Sequence, residues 1–254
     1  SIHNSIMAVK RDAKGKLVDV MVSEGQDSDL PRESIIYLEV DRHTDPDQLS
    51  DLSKNLVDIL NEVSLVTTDF VTMRDKAESL LDMLAGIADK LTKVELKEMN
   101  DFIRWLVGNH FTFLGYEAYK AVKQGRKTVL EPVSGSELGM FRCCDEQSLH
   151  MQISDLPTGQ RKQIKIDELL SFTKSPTKSR IHRPAYSDYI AIKCFDGKGK
   201  LSGEHRFLGL YTSSVYYQST TLIPVVRRKI DAVLRRSGLH RGSHDWKELQ
   251  QILE

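Results

Sequence analysis

Two successive apolar stripes at helical spacing stand between segments patterned like strands, and that order restricts the chain to the α+β class. The first stripe is Leu49, Leu52, Leu56, Ile59, Leu60 and Val63; the second is Phe70, Met73, Ala77, Leu80, Leu81, Leu84 and Ile87. Both recur at three- and four-residue steps, the period that lines up one face of a helix. Asp45 and Pro46 are the residue types of an N-cap and a first helical position, so one helix is predicted to start there. Thr67 or Thr68 is the expected cap of a second helix, with Asp69 suited to its positive dipole end. Both stripes read as structural, the second as a connector or a seam against a partner chain.

Strand patterning flanks the stripes. Residues 6–9, 17–22 and 35–41 read as three short strands, with Gly15 at the first turn. Such a sheet needs a layer over its apolar side, and one of the two helices is available for it. A third helix is expected over 93–109, ended by Gly108-Asn109. Strands are then predicted at 111–119, 128–131 and 138–141. The stretch 154–179 reads as softer, with Pro157-Thr158-Gly159 and Lys174-Ser175-Pro176 around a short helix at 166–172. Strong strands at 188–195 and 206–212 close the sheet about the turn at Gly197-Lys198-Gly199. There Ile190, Ile192 and Cys194 alternate with Tyr189, Ala191 and Lys193, giving one apolar face. A helix stopped by Gly238 follows, then a last helix capped by Ser243. Trp246, Leu249, Ile252 and Leu253 have no evident sink, so this last helix is expected to continue or dock beyond residue 254.

The 36 basic and 36 acidic side chains cancel, so no global field recruits nucleic acid or an anionic membrane. Tyr211, Tyr216 and Tyr217 are accordingly not expected to stack on bases. No apolar run approaches the roughly 20 residues that span a bilayer. The opening SIHNSIMAVKRD lacks the layout of a signal peptide; it also lacks an initiator Met, as a processed terminus or a cut edge would. The odd set Cys143, Cys144 and Cys194 makes no disulfide framework. These thiols are expected to be buried or half-buried, and the protein cytoplasmic.

The sequence offers little reaction chemistry. Ser179, Ser213 and Ser214 lack a nucleophile-elbow context, and the glycines at 197, 199, 203 and 209 belong to turns rather than a phosphate loop. His182 and His205 have no carboxylate or cysteine at ligand spacing. No catalytic, cofactor-binding or metal-binding residue is therefore expected, which points to a binding or regulatory module. The basic loop of Lys174, Lys178, Arg180, His182 and Arg183 is suited to clamp a carboxylate or phosphate. If the late sheet binds an amino acid or another carboxylate, Arg180, His182, Arg183 and Arg206 are the cationic groups two strands would bring to one rim, with Tyr189 offering a hydroxyl. The bland alternative is that these arginines brace the loop against Asp188 and Glu204.

Several phrases carry a family resemblance: RESIIYLEVDRHTD (32–45), FIRWLVGNHFTFLGYEAY (102–119), KSRIHRPAYSDYIAIKCFD (178–196), HRFLGLYTSSVYY (205–217) and the closing RSGLHRGSHDWKELQQILE. Together they resemble the N-terminal regulatory region of the large bacterial NAD-specific glutamate dehydrogenases. The resemblance implies a partial ACT-like sheet and helix over 1–66, a helical connector over 67–99 and a PAS-like antiparallel sheet with flanking helices over 100–218. It places C-terminal helices leading to the next module at 219–254. It further implies a piece of a longer enzyme that uses NAD elsewhere, joined as a homo-oligomer through helical faces and open to an amino-acid or carboxylate effector. Read without the resemblance, the same pattern fits a stand-alone small-metabolite sensor signalling through its helices.

Overall fold

The structure, a computed structural model, describes residues 2–21, 30–42, 44–125, 127–143 and 162–253. Val22, Cys144 and the Pro157-Thr158-Gly159 turn lie outside the described residues. The chain divides into two units, Ser1–Asn55 and Leu56–Glu254.

The first unit is a three-stranded antiparallel sheet in the order β2-β1-β3, from β1 (Ile2–Arg11), β2 (Leu17–Met21) and β3 (Arg32–Leu38). Its first turn is set by side-chain chemistry: Asp12 Oδ1 accepts from the backbone of Lys14 and Lys16, and Gly15 takes φ +78°. Arg11 then clamps Glu33 across the sheet through two bonds of 2.6 and 2.7 Å. Adjacent strand residues point to opposite faces, yet Ile35, Ile36, Tyr37 and Leu38 are all exposed. Among the described residues of this unit no helix supplies the expected cover, since the opening turns of the following helix are exposed as well, Leu49 included.

That helix, α1 (Pro46–Gly86), corrects the prediction of two: it runs unbroken for 41 residues. Asp45 does initiate it, its carboxylate accepting from Asp47 N at 3.0 Å. Thr67 caps nothing; its hydroxyl donates back to Val63 O at 2.9 Å, one turn earlier. Asp69 likewise serves tertiary structure, accepting from Gly139 N at 2.8 Å and from Arg142 at 3.0 Å. Gly139 sits at φ +60°, and a Cβ there would come within 2.4 Å of Leu114 O, so only glycine fits.

In the second unit six antiparallel strands run in the order β5-β4-β9-β8-β7, with β6 also on β4. They are β4 (Phe111–Gln124), β5 (Lys127–Pro132), β6 (Leu138–Gly139), β7 (Leu170–Lys178), β8 (Tyr186–Phe195) and β9 (Leu201–Tyr211). Strand β7 was not predicted, because Pro176 reads as a break. It survives as an edge strand whose pairing skips between Lys174 and Lys178, where a missing N–H costs least. Only residues 166–169 of the predicted short helix are helical, as α3 (Ile166–Leu169). The seam stripe of α1 is core: Met73, Ala77, Leu80, Leu84 and Ile87 are buried with Phe113, Ile190, Ile192 and Phe207 of the sheet. The helix α2 (Lys93–Trp105) adds Met99, Phe102 and Ile103 to that core, and a capping box between Thr92 and Glu95 sets its start. On the other sheet face Tyr189 and Leu208 pack with Met140 and Phe141.

After α4 (Ser213–Tyr217), one short helical turn at Thr220–Leu222 leads to α5 (Val226–Arg236) and then α6 (His244–Leu253). Gly238 at φ +71° ends α5, and Ser243 Oγ accepts from Trp246 N at 3.2 Å to start α6, both as predicted. Trp246 finds a partial sink in a groove with Leu234 and Leu239. The entrance of α5 is held from afar: Glu98 of α2 accepts from Val225 N at 2.6 Å and from Arg227 at 2.7 Å. A carboxylate at a helix start satisfies an orphan N–H and the dipole together. Its bond holds the Arg227 guanidinium further above its ordinary value. Glu98→Ala is expected to cost roughly 1–3 kcal/mol, since it leaves the buried Val225 N–H unpaired, while Arg227 keeps its bond to Asp101. Lys97→Ala, on the exposed side, should cost under about 1 kcal/mol. Urea midpoints measure both, and equal effects would contradict the assignment.

Candidate functional site

The basic stretch that the sequence singled out is the link from β7 to β8, residues 179–185. It is wound by its own bonds: Ser179 Oγ donates to Ile181 O at 2.8 Å, and Ala185 N donates to Arg183 O at 2.8 Å. Ile181 points into the core and His182 takes φ +65°. So tight a winding aims successive side chains apart.

Arg180 reaches Glu62 of α1 and pairs with its Oε1. Arg183 donates to Tyr211 O at 2.8 Å and lies 5.4 Å from the Tyr216 ring centre. His182 borders a separate apolar cleft of about 370 Å³ with Val63, Val66, Phe70, Phe113 and Ile181. Lys174 pairs with Asp188 at 2.7 Å. Arg206 sits apart again, buried on β9: Glu204 accepts from it at 2.6 Å, Glu117 lies at 3.8 Å, and its guanidinium stacks 3.9 Å over Tyr119. The register explains that cluster, for Glu117 faces Arg206 and Tyr119 faces Glu204 across β4 and β9. Tyr189 packs beside Phe141 on the second sheet face. The structure thus brings Arg180 to a cleft and leaves His182, Arg183, Arg206 and Tyr189 at four other places.

That cleft, of about 340 Å³, lies within the second unit. Glu62, Leu114, Met140, Ser175, Thr177, Lys178, Ser179, Arg180, Ser187 and Leu208 line it. Glu62 is 5% exposed; Oε2, its second oxygen, is buried and meets no hydrogen-bond donor among the described residues. The sequence reading missed Glu62, which is 118 residues from Arg180. A signal was present: Glu62 and Asp69 fall on the same three- and four-residue spacing as Val66, Met73, Ala77, Leu80 and Leu84. Carboxylates on an apolar stripe are buried, and buried carboxylates need partners.

The buried thiol and phenols are held in their neutral forms. Burial, aided by Glu204, pushes the Cys194 thiol up to about 12, the opposite of a reactive cysteine. Burial pushes the Tyr116 phenol up to about 12 as well. Its oxygen lies 2.6 Å from His205 Nδ1, and a neutral phenol can donate to that nitrogen when it carries no proton. Burial, with Lys76 nearby, lowers the His205 pKa. Among the described residues one trio has the spacing of metal ligands, His244, Asp245 and Glu248; all three are exposed at the start of α6.

Residues 1–56 match the family model described as glutamate dehydrogenase, ACT1 domain, and residues 223–254 match glutamate dehydrogenase, helical motif 1. The chain is 37% identical over 255 residues to the NAD-specific glutamate dehydrogenase of Halomonas elongata. It is 38% identical over 258 residues to that of Pseudomonas aeruginosa. Each alignment takes in 100% of this chain and 16% of the relative, so the chain spans about a sixth of the length of these relatives. The enzyme of that name from Mycobacterium tuberculosis is 22% identical over 92% of the chain. The resemblance read from the sequence therefore holds along the whole chain.

A histidine whose folded pKa lies below its ordinary 6.5 binds fewer protons folded than unfolded. Its contribution to stability is complete above the unfolded pKa and is lost as pH falls through the folded one. The thermal midpoint is expected to drop as pH is lowered from about 7 toward 5, and His205→Gln should flatten that slope. An identical slope in the variant would show that the proton uptake lies elsewhere.

Proposed function

We propose, with the likeness to the NAD-specific glutamate dehydrogenases as premise, that this chain is a regulatory and assembly segment without catalysis of its own. The larger protein oxidises L-glutamate with NAD and water to 2-oxoglutarate, ammonium and NADH, and NAD binds outside residues 1–254. The observation that carries this reading is a shared boundary. The ACT1 match ends at residue 56, and the first structural unit, a small antiparallel sheet, ends at Asn55. A sequence block that is also a structural block is what a modular regulatory region requires.

Residues 1–66 are assigned to the ACT-like part, 67–99 to a helical connector, 100–218 to the PAS-like part and 219–254 to helices leading onward. Support for the third assignment is the antiparallel sheet with helices α1 and α2 against it. The partners in this reading are further copies of the chain and a small amino-acid or carboxylate effector, with no role for nucleic acid or membrane. No helix among the described residues is long and apolar enough to cross a membrane. Helical faces remain for assembly: Val57, Leu60 and Val71 on α1 and Ile252 on α6 are exposed.

Two measurements bear on the reading. The purified chain should give no glutamate-dependent NADH absorbance, and turnover that follows the chain through successive columns would sink the non-catalytic assignment. Sedimentation should show a dimer or larger assembly; a monomer at high micromolar concentration would remove the assembly role from this segment.

A further inference from the structure

We propose that the cleft between α1 and the end of β7 binds a small zwitterion of the α-amino-acid class. Glu62 holds its ammonium, and Lys178 with Arg180 meets its carboxylate. The cleft has the volume of a small-ligand site, at the lower end of the usual range. Its charges are sorted by depth. Glu62, Ser175, Ser187, Leu114 and Leu208 are buried, whereas Thr177, Lys178 and Arg180 are exposed.

The deep end asks for a donor. Arg180 occupies Glu62 Oε1, and Oε2 is left buried with no donor among the described residues. Buried carboxylate oxygens are rarely left so; Glu204 Oε2 is another case among the described residues, but Glu62 is the one that lines a cleft. The terminal torsion of a glutamate is soft, so the carboxylate can turn Oε2 toward the cleft while keeping Arg180. An ammonium is the fitting donor, since it brings three N–H groups and the opposite charge.

The outer end asks for an anion. Lys178 Nζ rests only 5.6 Å from the Tyr186 ring centre, a weak hold. A phosphate alone would meet Glu62 as a like charge, and a simple amine would leave Lys178 without an anion at the rim, where Arg180 has only Glu62. A molecule with ammonium inside and carboxylate outside satisfies both ends. Leu114, Met140 and Leu208 give its side chain an apolar wall, and Met adapts to more than one shape. Only the consequence of binding rests on the regulatory reading; the binding itself does not.

The test is calorimetry on the full chain with each proteinogenic L-amino acid in turn, and with the matching 2-oxo acids and amino-acid amides. At least one amino acid should bind. The 2-oxo acid, lacking the ammonium, and the amide, lacking the carboxylate, should each bind at least about tenfold more weakly, as should the amino acid to Glu62→Gln. Thr177→Trp, at the exposed rim, should block the cleft without disturbing the core. It carries the test if Glu62→Gln does not fold. No heat from any amino acid, equal binding of the 2-oxo acid, or undiminished binding to both variants would each overturn the site. Failure of binding leaves the NADH and sedimentation outcomes untouched, so the two readings fail separately.

Discussion

One face of α1 organises the second unit. Met73, Ala77, Leu80 and Leu84 are almost wholly buried along it, and Glu62 and Asp69 continue the same row as carboxylates. Apolar burial of this kind supplies most of the stability of a long helix, which has little of its own in water. The two acids then fix what apolar contact leaves free. Asp69 pins the Gly139 turn and Arg142 to the helix, and Glu62 draws Arg180 and the loop around it toward the cleft. Register of the helix and position of the basic loop are thus one constraint.

Electrostatic groups elsewhere repeat the pattern of long-range pairing. Glu98 joins α2 to the start of α5 across 127 residues, and Arg206 ties Glu204 and Glu117 within the sheet. Such buried pairs contribute little net stability over apolar packing, but losing one partner is costly. Their effect is to specify one arrangement of helices around the sheet. Among the described residues Glu62 and Glu204 each keep one buried carboxylate oxygen without a donor, and of the two Glu62 is the one that lines a cleft.

Much of the fold was legible because local rules and tertiary structure agreed. The strands of the first unit, the turn at Gly15, α2, the pair β8 and β9, the stop at Gly238 and the cap at Ser243 all followed from pattern and turn chemistry. Two elements were not legible for definite reasons. Thr67 and Thr68 resemble caps, but a hydroxyl that bonds back to the preceding turn lets a helix continue. Pro176 resembles a break, but an edge strand tolerates it. The site was hidden by distance: the partner of Arg180 lies on another element, and no local pattern joins them. Charge clustering alone could not separate Arg180 from Arg183, because the winding of residues 179–185 sends neighbours in different directions.

Amide hydrogen exchange along α1 tests the central claim most directly, because it reports whether residues 62–86 behave as one cooperative block. Slow exchange should run without a gap through Thr67 and Thr68, and Asp69→Ala should weaken protection in α1, β4 and β6 together. Fast exchange confined to residues 66–69, dividing two independently protected helices, would contradict it.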